Sequence, residues 1–592
     1  MTNPFTRQLQ TFRPDVKNIK WESWNSTYFD QTFLGELDWE DWKKEAEFLR
    51  DNITDEVIET AFSKMPKGAH NEAWKQMIED TKARRNQIVE FAERSYKLKS
   101  KQVDILGTSH KDLFVVERID ENHTKCTVYE LNKRGEKKGM VYERVFNHSV
   151  TKEIHLYGLE DDDKFEITGD VKKSLKIRVI GGLDNDEVIE SSRVRQAGKK
   201  TLVYDSDAEK NRFVLGKQGT DKSSNKTYKN TYDRRSRHYD PNFWLPLPVI
   251  EFNPDDGLIL GASATFYNYK FKKKPYGEKH AFGVNYSTST QALDFRYNSE
   301  FIEVLGSWDL LINSELRRNR FAFNYYGFGN NTINPDPDEL DFNRVRQSKI
   351  YADLLIQKRF SVDNGRFAFG PLIERTRIDD TPDRFIVTPE ALLPDDVFEE
   401  RIYAGIRAEF TYENLDSKTD PHRGIKFEAH YNLETLLDDN DFTFGRLGVG
   451  LKYYKALDKR ERFVLATQAK YEQIDGDFDF WKAPSIGGLN NLRGFRINRF
   501  RGTKSFYHTT DLRIKLFNVE NNTLPFNFGI HGGFEYGRVF TDDSGERTDD
   551  DMLHTAYGGG LWLDPVDFIV ISFGIYESEE DSRFIFKLNH MF

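Results

Sequence analysis

Cysteine is nearly absent: Cys126 stands alone in 592 residues. A single cysteine forms no internal disulfide, and it excludes any cysteine-based zinc site. Long apolar runs are missing too, with no stretch near the roughly 20 residues that a membrane-spanning helix needs. That excludes helical spanning but leaves a barrel open, because barrel strands alternate lipid-facing and lumen-facing residues. Basic charge is not in excess. The 86 Lys+Arg against 97 Asp+Glu give a net charge of -11, so nucleic acid is not an expected partner. Residues Met1 to Asp30 lack a charged segment followed by an apolar core, so no secretory leader is read there. A barrel would then require a leader ahead of this sequence, which would be a mature piece or the C-terminal part of a longer precursor.

Aromatic residues, by contrast, are plentiful at 14%, with 47 Phe and 27 Tyr. They suit strands and the aromatic girdles of membrane interfaces. Residues 1–100 form a helical segment. Asp38 and Thr54 are expected N-caps, and Trp39, Trp42, Ala46 and Leu49 recur at helical spacing. Over 101–205 the period changes to two, as in DLFVVERI and SLKIRVIGG, which predicts a small β-rich domain, solenoid-like or sandwich-like.

Within that domain, Gly158 to Phe165 lies over Gly182 to Ile189 at an offset of 24 residues, each a glycine turn, an acidic cluster and a short strand. The pattern is similar to the Gly-Asp turns of calcium-binding β-rolls, which makes Asp161, Asp163, Asp184 and Asp186 calcium candidates. The alternative is a solvated acidic edge that discourages strand pairing. No other cofactor is expected. Residues 206–247 are rich in Lys, Asn, Ser and Arg and read as a polar linker.

From 248 to 592 one rhythm persists. Ile402, Ala404, Ile406, Ala408 and Phe410 face one way, with Arg401, Tyr403, Arg407 and Glu409 the other. Eleven strands are expected to start near 258, 279, 292, 306, 320, 347, 366, 401, 423, 442 and 461. Five more follow near 508, 526, 552, 567 and 582. The fold class is therefore mainly β: a 16-stranded antiparallel transmembrane barrel with an N-terminal helical segment and a small periplasmic β domain.

Between the eleventh and twelfth strands lies SIGGLNNLRGFRINRFRGTKSFY, Ser485 to Tyr507. It is either a basic, glycine-rich surface loop or something more specific. Leu492-Arg493-Gly494-Phe495, preceded by Gly487-Gly488 and followed by Arg499-Phe500-Arg501-Gly502, resembles the tip of the inward-folded loop in the bacterial surface antigen superfamily. That superfamily comprises outer-membrane assembly factors and two-partner secretion translocators. Pro248 to Gly261 looks like its first strand and Asp416 to Lys426 like its internal Pro-x-Arg-Gly turn, and the likeness covers roughly the last 345 residues. It implies an inward loop over 483–507 whose Arg493 is anchored to acidic residues of the next two strands. Strand parity turns Asp511 and Glu535 into the lumen, so Arg493 is expected to reach Asp511 or Glu535. The terminal run Phe584, Phe586, Leu588, His590 and Phe592 resembles a C-terminal β-signal for insertion.

The resemblance implies a bacterial outer-membrane protein with a periplasmic N-terminal region. Its partners would be outer-membrane lipid and other outer-membrane proteins or lipoproteins, and its work the insertion or translocation of protein or lipid. The repeated βααββ client-binding modules of that superfamily are not found ahead of Leu247. The alternative is a barrel that anchors, or forms a pore for, an attached domain. The helical-then-β order is also similar to the middle of fusions that carry a calcineurin-like metallophosphoesterase upstream. The clustered metal ligands of that enzyme are missing, Asp420-Pro421-His422 standing alone in a turn, and no enzyme activity is assigned.

Overall fold

The computed structural model describes residues 12–592 apart from 24–25, 36, 234–241, 254–256, 334–340, 361–363, 440, 521–524, 542–551, 566–569, 589 and 591–592. The chain divides into two compact units, Met1–Asp240 and Pro241–Phe592. No described helix is long and apolar enough to cross a membrane.

In the first unit, helices come first. Asp38 caps Trp39–Asn52 by accepting from the backbone N–H groups of Glu40 and Asp41, and Thr54 caps Asp55–Ser63. Trp39 and Trp42 then pack on Tyr96 of Ile88–Lys99, with ring centroids 5.8 and 6.4 Å apart. The β region that follows is a parallel solenoid. One face stacks Gln102–Leu106, Glu153–Leu159, Lys176–Gly182, Thr201–Tyr204 and Gly219–Asp221. The other stacks Asp112–Arg118, Lys164–Thr168, Glu187–Glu190 and Arg212–Leu215, extended by an antiparallel pair, His123–Leu131 and Lys137–Asn147. Identical positions in successive rungs bury like side chains: Phe114 over Phe165 over Val188, and Leu156 over Val179 over Val203. Each such side chain contributes about 1.5–3 kcal/mol of burial.

Two expectations need correction here. The rung spacing through the acidic turns is 23 residues, not 24, because Phe165 pairs with Val188 and Leu159 with Gly182. The polar stretch 206–247 is not all linker. Arg212–Leu215 and Gly219–Asp221 complete the last rung, held by backbone pairing that the surrounding Lys and Asn conceal in the composition.

In this register the calcium candidates lie opposite one another, Asp161 with Asp184 and Asp163 with Asp186. Asp163 and Asp186 lie inside and Asp161 and Asp184 on the outer turn, and among the described residues no group of three or more His, Cys, Asp or Glu is placed to hold a metal ion. The inner acids form a ladder. The N–H of Asp112 donates to Asp163 (2.7 Å), that of Asp163 to Asp186 (2.8 Å) and that of Asp186 to Asn211 (2.8 Å). Outside, the N–H of Asp161 donates to Asp184 at 3.2 Å. Each inner carboxylate abuts a glycine of its own turn: a Cβ on Gly158 would stand 2.2 Å from Asp163 Oδ2, and one on Gly181 2.2 Å from Asp186 Oδ2 and 2.3 Å from Asp205 Oδ2.

Burial pushes Asp163 up to about 8. It pushes Asp186 and Asp205 up as well, Asp186 further through the charge of Asp205 beside it. Because these groups hold protons more tightly folded than unfolded, their contribution is complete below the ordinary aspartate range near 4 and is lost as pH rises through the raised values. Amides of the solenoid in the full chain should therefore exchange more slowly at pH 5 than at pH 9, after correction for intrinsic exchange. The change should be roughly 1 kcal/mol per pH unit for each carboxyl involved, and Asp186→Asn should flatten it. A profile that is the same in Asp186→Asn and the parent chain would overturn this reading.

The second unit is a closed antiparallel barrel of sixteen strands. These are β1 (Phe243–Asn253), β2 (Gly257–Asn268), β3 (Glu278–Ser287), β4 (Leu293–Leu305), β5 (Trp308–Asn324), β6 (Arg344–Phe360), β7 (Gly365–Ile378) and β8 (Arg401–Leu415). The circle continues with β9 (Gly424–Leu436), β10 (Thr443–Ala456), β11 (Phe463–Gly476), β12 (Lys504–Val519), β13 (Phe526–Phe540), β14 (His554–Pro565), β15 (Ile571–Ser578) and β16 (Ser582–Lys587). Ile373, Ile406, Leu433, Leu512, Phe534 and Ile575 are exposed on the outside, whereas Glu374, Glu434, Gln468, Asp511 and Glu535 are buried. The oily face is outward and the polar face inward, the reverse of a soluble core.

The expected total of sixteen was reached through two compensating errors. Pro248 to Gly261 is not one strand but the end of β1, a hairpin and the start of β2; Pro246 and Pro248 had masked β1 as a strand. The starts expected near 306 and 320 belong to one strand, β5, whose pairing with β6 shifts register between Arg317 and Phe321. At one end the connections are long, over 325–343, 379–400, 477–503 and 541–553. At the other, where the chain enters β1, they are short turns such as 306–307 and 416–423.

Candidate functional site: the inward loop and the strand seam

The 477–503 connection folds into the barrel. Ser485–Ile486 and Phe500–Arg501 pair as a short antiparallel ribbon, which Gly487 and Gly488 leave at φ +109° and +110°, values that a side chain would resist. Ile486, Leu492, Phe495 and Phe500 pack on Val539 of β13 and Ala556 of β14. This apolar cluster brings the Arg493-Gly494 tip against the wall. A Cβ on Gly494 would meet the Glu577 carbonyl at 2.8 Å and Ala556 Cβ at 3.0 Å, and the Gly494 carbonyl accepts from Ser578 Oγ at 2.9 Å.

Arg493 is 1% exposed and engages both acids named from parity. Its Nη1 and Nη2 donate to the two oxygens of Asp511 at 3.0 and 2.6 Å, and its Nε and backbone N–H donate to Glu535. The Tyr576 ring lies 4.1 Å from its guanidinium carbon. One planar cation is thus matched to two carboxylates and a π face, a geometry that arginine alone offers.

Further ties went unread in the sequence. Arg499 donates to Glu580 at 2.8 Å and to the Thr332 carbonyl at 2.6 Å; Arg501 donates to the Phe480 and Ala483 carbonyls at 2.8 and 3.0 Å. Lys482 bridges Glu374 of β7 and Glu434 of β9 at 2.9 and 2.6 Å. Tyr576 was legible, since Ser572, Gly574, Tyr576 and Ser578 alternate with Ile571, Phe573 and Ile575. Lys482, in the aromatic run FWK, carried no such signal. Below the loop a chamber of about 630 Å³ remains, lined by charged groups including Glu315, Lys349, Glu374, Arg407, Arg446 and Arg501.

At the carboxyl end, Phe584 is exposed and its ring lies 6.1 Å from that of Phe252 on β1. Phe586 packs on Phe573 at 5.0 Å. Leu588 falls after the strand, which ends at Lys587, and Phe592 lies outside the described residues. His590 does not share the outward face. With the strand ended it is buried, hydrogen-bonded to Asp420 at 2.5 Å, and Asp420 also meets His422 at 3.0 Å. The lone Asp-Pro-His turn thus receives His590.

The seam is slight. A single residue pair among the described residues, Phe252 with Phe586, joins β1 to β16, whereas β1 pairs with β2 along all of its 11 residues.

Replacing Arg493 with Ala would leave two buried carboxylates without their cation, a loss of about 3–5 kcal/mol. The variant should lose its heat-resistant compact migration on gels at a lower temperature, and Arg493→Lys, lacking the planar fork, should not restore it. Migration equal to the parent chain would refute this.

Residues 274–592, more than half of the chain, match the Omp85 superfamily domain. No curated protein matches the chain. Among solved structures, BamA from Haemophilus ducreyi lacking POTRA domains 1-3 is similar at 14% identity and TM-score 0.43, over 59% of this chain and 70% of that one. CdiB from Escherichia coli is similar at 11% identity and TM-score 0.41, over 63% and 65%. CdiB from Acinetobacter baumannii is similar at 10% identity and TM-score 0.38, over 58% and 59%. With the matched domain covering β3 to β16 and the loop that fills the lumen, the chain belongs to the Omp85 superfamily.

Proposed function

We propose that this barrel, at the bacterial outer membrane, inserts or translocates protein or lipid by parting β1 from β16, with the first unit on the periplasmic side. The observation that carries the proposal is the seam. Ten or more cross-strand pairs join most neighbouring strands and β15 pairs with β16 over six, but one pair joins β16 to β1. An opening therefore costs least there, since each backbone hydrogen bond contributes roughly 0.5–1.5 kcal/mol. Pro246 and Pro248 remove two donors from β1, a device that belongs on edge strands. The arginine-anchored loop stays with the wall while the seam parts, keeping the lumen occupied.

The reading is tested by joining the edges. With Phe252→Cys and Phe586→Cys, the oxidised barrel in liposomes should lose the ability to speed folding of an unfolded outer-membrane barrel client, and reduction should restore it. Equal client folding in both redox states would reject the seam mechanism. Steady ion conductance without any effect on client folding would favour the anchor-or-pore alternative.

A further inference from the structure

Most outward-facing side chains of the barrel are apolar, so exposed cations on that face stand out. On β5, β6 and β7, near the end with the long connections, four arginines are exposed: Arg318, Arg346, Arg375 and Arg377. Pairing sets Leu316 beside Ile350, Ile350 beside Arg375, and Ser348 beside Arg377. The arginines therefore begin where the exposed apolar row of Leu316, Ile350 and Ile373 stops. A recess of about 430 Å³ opens among Leu316, Arg318, Ser348, Arg375, Arg377 and Glu400.

Three carboxylates stand near the four guanidinium groups. Glu400 pairs with Arg375, and Asp379, whose N–H donates to the Arg346 carbonyl at 3.0 Å, stands beside Arg377 and Arg346 with Asp380 next to it. Four cations against three anions leave the rim positive. Arg375 and Arg377 are two residues apart on one face of a strand, roughly 7 Å along it. That separation suits two phosphate groups or one held between two planar forks. In outer-membrane barrels the long connections are extracellular, so this rim stands at the headgroup level of the outer leaflet.

We propose that the recess binds the headgroup of an anionic lipid carrying phosphomonoester groups, with Arg318, Arg375 and Arg377 on the phosphates and Leu316, Ile350 and Ile373 against the acyl chains. The occupant follows from charge complementarity and from the continuity of the cationic rim with the lipid-facing band below it. A basic residue near a charged membrane surface strengthens the attraction about fivefold, so several on one recess select a phosphorylated lipid over its neutral counterpart.

The full chain in detergent micelles can be titrated with diphosphoryl lipid A and with the same lipid after dephosphorylation. The parent chain should prefer the phosphorylated form by roughly tenfold or more, Arg318→Gln should weaken that preference about fivefold, and Arg375→Gln with Arg377→Gln should abolish it. Arg375→Lys with Arg377→Lys should retain part of the preference. Heat-resistant migration on gels reports folding; should the double variant fail to fold, the exposed Arg318→Gln decides. Equal affinity for the two lipids, or a preference unchanged in the glutamine variants, would overturn the proposal. Displacement by inorganic phosphate at matched concentration would also overturn it, in favour of a free-anion site.

Discussion

The second unit depends on one arrangement, a guanidinium enclosed between two carboxylates in the middle of a barrel. Charges this deeply buried are tolerable only as a complete set, because each alone would carry a desolvation cost of several kcal/mol. The pairing therefore fixes the depth of the loop as well as its presence. With Arg493 held by Asp511 and Glu535, Phe495 and Leu492 reach Val539 and Ala556, Gly494 lies flat on the wall, and Arg499 and Arg501 find their partners above. Shifted by one residue, the set comes apart together.

The barrel is firm in one arc and weak in one line. Ion pairs from the loop reach β7, β9, β12 and β13, whereas β1 and β16 meet at Phe252 and Phe586. The terminal His590 adds a local fastening at Asp420, on the turn between β8 and β9.

How much of this was readable from residues depended on how directly each contact is written into alternation. Strand parity alone turned Asp511 and Glu535 inward, and the arginine-glycine-phenylalanine motif selected Arg493, so the central contact was legible. The outward and inward faces of β8, β9 and β12 were legible for the same reason. Contacts made by loops were not: Lys482 with Glu374 and Glu434 joins positions far apart in sequence and has no periodic signature. Strand β1 was hidden by Pro246 and Pro248, and β5 was read as two because a register shift interrupts its alternation. In the first unit the repeat was visible, but a one-residue error in its period placed Asp161 opposite Asn185 instead of Asp184. His590 misled because parity was carried beyond the point where the strand stops.

The acidic ladder of the first unit has a consequence of its own. Burial makes Asp163, Asp186 and Asp205 hold protons more tightly than ordinary aspartates do, and the column ends at Asn211, an uncharged acceptor. The cohesion of the rungs therefore follows the acidity of the surrounding solution.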